Sequence, residues 1–234
     1  MPSSSYEQRR GRVTEYFDRT AVKAWERLTS DQPVSGVRAT VRAGRAEMRE
    51  TLLGWLPHDL RGERILDAGC GPGELTGDLV RRGAEVVGID VSEKLIDLAC
   101  DRLRDDVEAG RARFAVGDML DPSLGEFDRV VSMDVLIHYT LDDAVAALSE
   151  LSGRTRRQLV FTFAPRTPFL AAMHAAGKLF PRSDRSPAIE PVAHARLAEA
   201  LEAAAALENW QLGRTQRISR GFYTSQALEL ERLS

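Results

Sequence analysis

The residues with the clearest chemical meaning lie in Ile65-Leu-Asp-Ala-Gly-Cys-Gly-Pro-Gly73. Gly69, Gly71 and Gly73 permit a tight turn and let the backbone come close to a ligand. Asp67 precedes them, and Asp90 follows 17 residues after Gly73, at the end of the apolar run Glu85-Val-Val-Gly-Ile-Asp90. A carboxylate at a strand end can accept both hydroxyls of a ribose. A dinucleotide site would need a third glycine at position 74 and would set a pyrophosphate on a helix N-terminus. Position 74 is Glu74, a poor neighbour for phosphate. A ligand carrying a ribose and an ammonium group, without phosphate, suits these residues better.

The surrounding pattern supplies the elements that must hold them. Strand-like runs at 64–67, 85–90, 113–116, 127–133 and 158–163 alternate with helical stretches at 74–82, from Ser92 to about Leu103, and from Thr140 to about Leu151. Such alternation predicts a parallel sheet with right-handed crossovers. Two final strands, near 210–218 and 221–230, are separated by only Ser219-Arg220 and predict an antiparallel pair. Ahead of this lie a tip at residues 1–5 without regular structure, an amphipathic helix from Gln8 to Leu28, and a second from Ser35 to Leu56. Five of the ten prolines fall between 165 and 191, around one apolar helix, Phe169–Phe180, which suggests a surface lid.

Asp67-x-Gly-x-Gly-x-Gly73 resembles the first motif of class I S-adenosylmethionine (SAM)-dependent methyltransferases, with Asp90, Gly117-Asp118-Met119 and Ser132-Met-Asp134 following in order, each at a strand end. The resemblance implies a Rossmann-like α/β fold: a mostly parallel seven-stranded sheet with the last strand antiparallel, plus N-terminal helices and a lid. It implies SAM as co-substrate and no protein-bound metal. The cofactor-binding set it points to is Asp67, Ala68, Gly69, Cys70, Gly71, Gly73, Asp90, Val91, Asp118, Met119 and Met133. Asp118 would face the adenine amino group and Met119 the ring.

Segments outside the nucleotide motifs narrow the resemblance. Tyr16-Phe-Asp-Arg-Thr-Ala-Val, Leu136-Ile-His-Tyr139, Phe161-Thr-Phe-Ala-Pro-Arg-Thr-Pro168, Leu179-Phe-Pro-Arg and Gly221-Phe-Tyr-Thr-Ser-Gln226 together resemble the magnesium-protoporphyrin IX O-methyltransferases of bacteriochlorophyll synthesis. The likeness runs from about 12 to 230. It implies methylation of one propionate of magnesium protoporphyrin IX to the monomethyl ester, with the ring-C side chain as the family's choice. It also implies the porphyrin-binding subunit of magnesium chelatase as a partner. A propionate is ionised at neutral pH, so the chemistry asks for alignment and exclusion of water more than for a strong base.

His138, after the fourth strand, is the expected catalytic residue, holding or deprotonating the carboxylic acid; its plain alternative is a helix-capping histidine. Tyr16 is the second expected catalytic residue, reaching over the cofactor, against a plain role in the helix's packed face. Tyr139, Phe169, Met173 and Phe180 are the expected porphyrin contacts. Arg38, Arg42, Arg45 and Arg49 share a helix face; a solvated face balanced by Glu47 and Glu50 outweighs a reading in which they meet propionates or lipid headgroups. His174 reads as structural rather than as an axial ligand to the porphyrin's magnesium. Cys70 and Cys100 have no partner suggesting nucleophilic chemistry, and four scattered histidines form no metal-ligand cluster.

Composition agrees with this reading. A net charge of −3 and a pI near 5.9 argue against a nucleic-acid partner, as does Ser132-Met-Asp-Val135, which lacks the aromatic pair that clamps a flipped base. There is no apolar N-terminal signal and no run of the ~18 apolar residues that a membrane span requires. The expectation is a cytoplasmic protein, with room for peripheral contact with the photosynthetic membrane. It divides into an N-terminal helical arm, 1–60, and a methyltransferase domain, 61–234, with its lid at about 165–191. Two further readings stand beside this one: a methyltransferase acting on another small acid or a quinone-type phenol, and a non-catalytic carrier of SAM and porphyrin.

Overall fold

The structure is a computed structural model describing residues 3–18, 36–166 and 188–233. Its centre is a seven-stranded sheet: β1 (Arg64–Ala68), β2 (Glu85–Asp90), β3 (Ala112–Val116), β4 (Phe127–Ser132), β5 (Thr155–Phe163), β6 (Trp210–Arg220) and β7 (Tyr223–Arg232). The spatial order is β3-β2-β1-β4-β5-β7-β6. The first five strands are parallel, and β7 runs antiparallel to both β5 and β6. This is the class I methyltransferase sheet.

Strands buried on both faces read as continuous apolar runs, and the two-residue pleat divides them between two cores. Leu66, Val87, Val130, Leu159 and Phe161 face one side, where α6 (Leu141–Ser152) and α7 (His194–Glu202) add Ala147, Leu148, Leu151 and Leu197. Ile65, Val86, Val131 and Val160 face the other, against α2 (Val37–Trp55) and α3 (Glu74–Arg81). Met48 and Leu52 of α2 are fully buried there. Truncating such a leucine to alanine costs about 2–5 kcal/mol, so α2 belongs to the core.

The helices start where short polar side chains can satisfy their first N–H groups. Ser92 Oγ accepts from Leu95 N–H at the start of α4 (Glu93–Arg102), and Thr140 Oγ1 accepts from Asp143 N–H at the start of α6. A short helix, α5 (Arg104–Glu108), leads into β3. No described helix is long and apolar enough to cross a membrane.

Two expectations change. From residue 3 the tip is not irregular: Ser3 caps a helix, α1 (Ser4–Tyr16), by accepting from Tyr6 N–H at 3.1 Å. The expected continuation of this helix from Arg19 to Leu28 lies outside the described residues. The last turn falls at Gly221-Phe222 rather than Ser219-Arg220, because Gly221 adopts φ 57° and lets β6 extend to pair Arg220 with Tyr223.

Candidate active site

The site lies where strand order reverses, beyond the carboxyl ends of β1, β2 and β4, the usual ligand crevice of such a sheet. The glycine loop forms its floor. Gly69 and Cys70 N–H groups donate to Ile89 O at 2.8 and 3.0 Å, folding the loop back against β2. Gly69 has φ 79°, and a Cβ there would lie 2.1 Å from Val135 Cγ2, so both conformation and space require glycine. Gly71 faces open space. Its N–H donates to Asp90 Oδ2 at 2.9 Å while Ser92 N–H donates to Oδ1 at 3.0 Å. Asp90 is thus held edge-on with acceptor capacity remaining on both oxygens. Burial raises its pKa against the pull of these donors.

One wall is built from the segment after β3 and from α1. Asp118 Oδ1 accepts from Leu120 N–H at 2.9 Å and from the Tyr6 hydroxyl at 2.7 Å, and Oδ2 pairs with Arg10. Arg154 donates to the carbonyls of Met119 and Asp121 and so fixes this segment from below. The Tyr6 ring stacks on Tyr139, and burial drives both phenols' pKa values upward. The Ser3 and Ser5 hydroxyls donate to Asp143, and Arg9 donates to the His138 carbonyl and to Glu190. Helix α1 therefore roofs the cleft through polar contacts.

The far end contains Met133, Asp134, Val135 and His138, with Arg45 of α2 opposite. His138 is 8% exposed, and burial lowers its pKa. Its Nδ1 lies 3.2 Å from Ala188 O. A carbonyl only accepts, so Nδ1 carries the hydrogen and the neutral ring presents Nε2 as an acceptor. Arg45 Nη1 pairs with Asp134 Oδ2 at 2.5 Å, and it is the one lysine or arginine lining the cleft among the described residues.

A magnesium-protoporphyrin O-methyltransferase of Rhodobacter capsulatus is 50% identical over 230 residues, covering 98% of this chain and 99% of the relative. The chain belongs to the magnesium-protoporphyrin O-methyltransferase family. The Synechocystis enzyme of the same name is 32% identical, over 94% of this chain and 95% of its own. Residues 132–232 match the family model described as magnesium-protoporphyrin IX methyltransferase C-terminus, and residues 65–158 match a methyltransferase domain. The crystal structure of magnesium protoporphyrin IX methyltransferase from Synechocystis PCC 6803 with bound S-adenosylhomocysteine superposes with a TM-score of 0.82 at 31% identity, covering 95% of this chain and 99% of that one.

In this methyltransferase Gly69, Cys70, Gly71, Asp90, Val91, Asp118, Met119, Met133, His138 and Tyr139 all line the cleft. Asp67, Ala68 and Gly73 do not. Asp67 is buried beneath the loop and accepts from Thr76 Oγ1 at 2.6 Å; burial pushes its pKa up to about 7. Ala68 is fully buried in the sheet, and Gly73 caps α3 with φ 80°. Tyr16 also stands off the cleft, edge-on to Phe17 with ring centroids 5.2 Å apart. The cleft-facing residues of α1 and its end, Tyr6, Val13 and Phe17, follow helical spacing, and Tyr16 falls off that face. Phe169, Met173 and Phe180 lie outside the described residues. The arginine face is not simply solvated: Arg45 meets Asp134, and Arg49 meets Glu74 at 2.7 Å and Asp78 at 3.0 Å. Tyr6 and Arg10 are site residues that sequence reasoning did not single out, and Arg45 entered it only as one of four arginines on a helix face.

Proposed function

We propose that the protein transfers the methyl group of S-adenosylmethionine to a propionate carboxyl of magnesium protoporphyrin IX, giving the monomethyl ester in bacteriochlorophyll synthesis. The observation that carries this reading is half identity, end to end, to a named relative, together with a cleft whose polar groups match the co-substrate. Asp90 suits the ribose hydroxyls, Asp118 and Met119 the adenine, and the glycine loop the amino-acid chain. Arg45, the cleft's cation, receives the methionine carboxylate. Bound SAM supplies an electrophilic methyl group.

Within this reading the protein positions, dries and deprotonates. A carboxyl entering the cleft is desolvated, which raises its pKa and favours the acid. Neutral His138, with Nε2 as acceptor, takes that proton and leaves the nucleophilic carboxylate. Tyr16 would have to turn from Phe17 to touch the acceptor. We place the porphyrin beneath the 165–191 segment. Its described ends support this. Arg166 N–H donates to Val192 O at 3.0 Å, Val192 N–H to Ala164 O at 2.9 Å, and Glu190 N–H to Ile137 O at 2.8 Å, tying both ends beside His138. Phe169, Met173 and Phe180 are then its porphyrin contacts, and α1, the described start of the 1–60 arm, closes from the other side. Delivery by the chelatase subunit and peripheral membrane contact belong to the same proposal and rest on the family alone.

The test is S-adenosylhomocysteine release by the purified protein with SAM and magnesium protoporphyrin IX, alongside metal-free porphyrin and a panel of phenols and small acids. Turnover with a monomethyl ester product is the expected result. Tight SAM binding with no turnover on either porphyrin would overturn the substrate.

A further inference from the structure

Among the described residues Asp134 is the one non-glycine with positive φ, at 59°. That conformation is unfavourable for a side-chain-bearing residue and persists only where its surroundings over-determine it. Here they do. Asp134 N–H donates to Thr162 Oγ1 at 2.7 Å. Its Oδ1 accepts from the Tyr223 hydroxyl at 3.0 Å and Ser225 Oγ at 3.1 Å, and its Oδ2 from Arg45 Nη1 at 2.5 Å. Thr162 is next to last in β5, Tyr223 and Ser225 open β7, and Arg45 comes from α2, so Asp134 joins three elements to the turn after β4. Because β7 is antiparallel, its first residues stand at the same end of the sheet as the carboxyl ends of the parallel strands.

The carboxylate borders the cleft, but protein donors occupy much of its acceptor capacity, which is about four lone-pair sites. It is poorly placed to recognise a ligand and well placed to hold a cation. Gly44 allows this approach: a Cβ there would meet Tyr223 Cδ1 at 2.4 Å, so α2 rests directly on the tyrosine ring. A guanidinium carries five N–H donors in a rigid plane, so one anchored on a fixed carboxylate presents the plane in a set orientation to a second.

We infer that Asp134, oriented by Tyr223, Ser225 and Thr162, is a positioning residue that aims Arg45 at the carboxylate of the methionine moiety. This rests on the proposed assignment of that carboxylate to Arg45. The network does not touch the ligand; it sets the geometry of the residue that does.

The experiment compares dissociation constants for SAM and for decarboxylated SAM, which lacks only the carboxylate, in the wild type and in Arg45→Ala, Asp134→Asn, Tyr223→Phe and Ser225→Ala, with a thermal melt of each. Arg45→Ala is expected to abolish the preference for SAM. Asp134→Asn and Tyr223→Phe are expected to weaken SAM by about tenfold, a loss of about 1.4 kcal/mol, while leaving decarboxylated SAM within about twofold; Ser225→Ala shifts the same ratio less. If Arg45→Ala leaves the preference intact, the carboxylate assignment fails and takes the inference with it. If Arg45→Ala abolishes it but the Asp134, Tyr223 and Ser225 variants leave the ratio unchanged, or weaken both ligands equally, Asp134 is only structural and the inference alone is overturned. Ser225→Ala removes a single hydroxyl and keeps the comparison decisive if a larger change impairs folding.

Discussion

The ring of Tyr6 lies on that of Tyr139, with centroids 4.7 Å apart and planes at 23°, while its hydroxyl reaches across to Asp118. One residue of α1 thereby spans the cleft from Tyr139 to Asp118. Tyr6→Phe keeps the stack and removes the hydrogen bond to a carboxylate, worth about 1.5–3 kcal/mol. Trypsin cleavage at Arg9, Arg10 and Arg12 is expected to speed up about tenfold or more, with the rest of the protein unaffected. An unchanged cleavage rate would mean that this bond does not hold α1 down.

Asp90 is fixed by two backbone N–H groups and is the acid we propose for the ribose. Hydrogen bonds to a charged acceptor contribute about 1.5–3 kcal/mol, so Asp90→Asn is expected to raise the SAM dissociation constant about tenfold to a hundredfold. Isothermal titration measures this directly. The KM for porphyrin should stay the same; if it rises equally, the substitution has disturbed the whole cleft.

His138 is buried and neutral, with a lowered pKa. It charges only below the ordinary histidine value of about 6.5, so the acid limb of the kcat profile should lie below that pH. His138→Ala is expected to lower kcat by about 10²–10⁴, the usual contribution of a general base, and to abolish the limb. Retention of the limb in the variant would assign it to another group. Tyr16→Phe is expected to leave KM for SAM unchanged, since Tyr16 stands off the cleft.

Asp67 has its pKa raised to about 7 by burial, against an ordinary 3.8. Between these values the folded protein holds a proton that the unfolded chain has released. Stability from this group is therefore full below the lower value and is lost as pH rises through the upper one. Asp67→Asn keeps the shape and removes the titration. Urea unfolding at about pH 5 and about pH 8 should show a smaller decline in the variant than in the wild type. Equal declines would place the titration elsewhere.

The floor of the site was legible in the sequence because its determinants are local. Glycines at 69 and 71 and an acid ending an apolar run depend only on neighbours in the chain. The roof was not. Residues 3–10 carry no apolar stripe, and α1 is held by Ser3, Ser5, Tyr6, Arg9 and Arg10 through side-chain hydrogen bonds, to which hydrophobic periodicity is blind. Arg45 was visible as one of four arginines at helical spacing. What singles it out is Asp134, which becomes a neighbour only once β4, β5 and β7 are assembled in order and α2 packs against the sheet. Asp67 shows the converse: a motif residue at the right position whose side chain is buried against Thr76.

Gly44 meets Tyr223 with no room for a methyl group. Gly44→Ala is expected to destabilise the protein by about 1–3 kcal/mol, the cost of overpacking, measured as a lower melting temperature. A smaller residue at 223 would relieve the crowding but give up the hydroxyl on Asp134. The two positions are therefore locked together although they lie far apart in the chain, on α2 and β7. Among homologues they should change in concert or not at all, with glycine at one accompanying tyrosine at the other, and a lineage that acquires a side chain at 44 should have first lost the aromatic ring at 223.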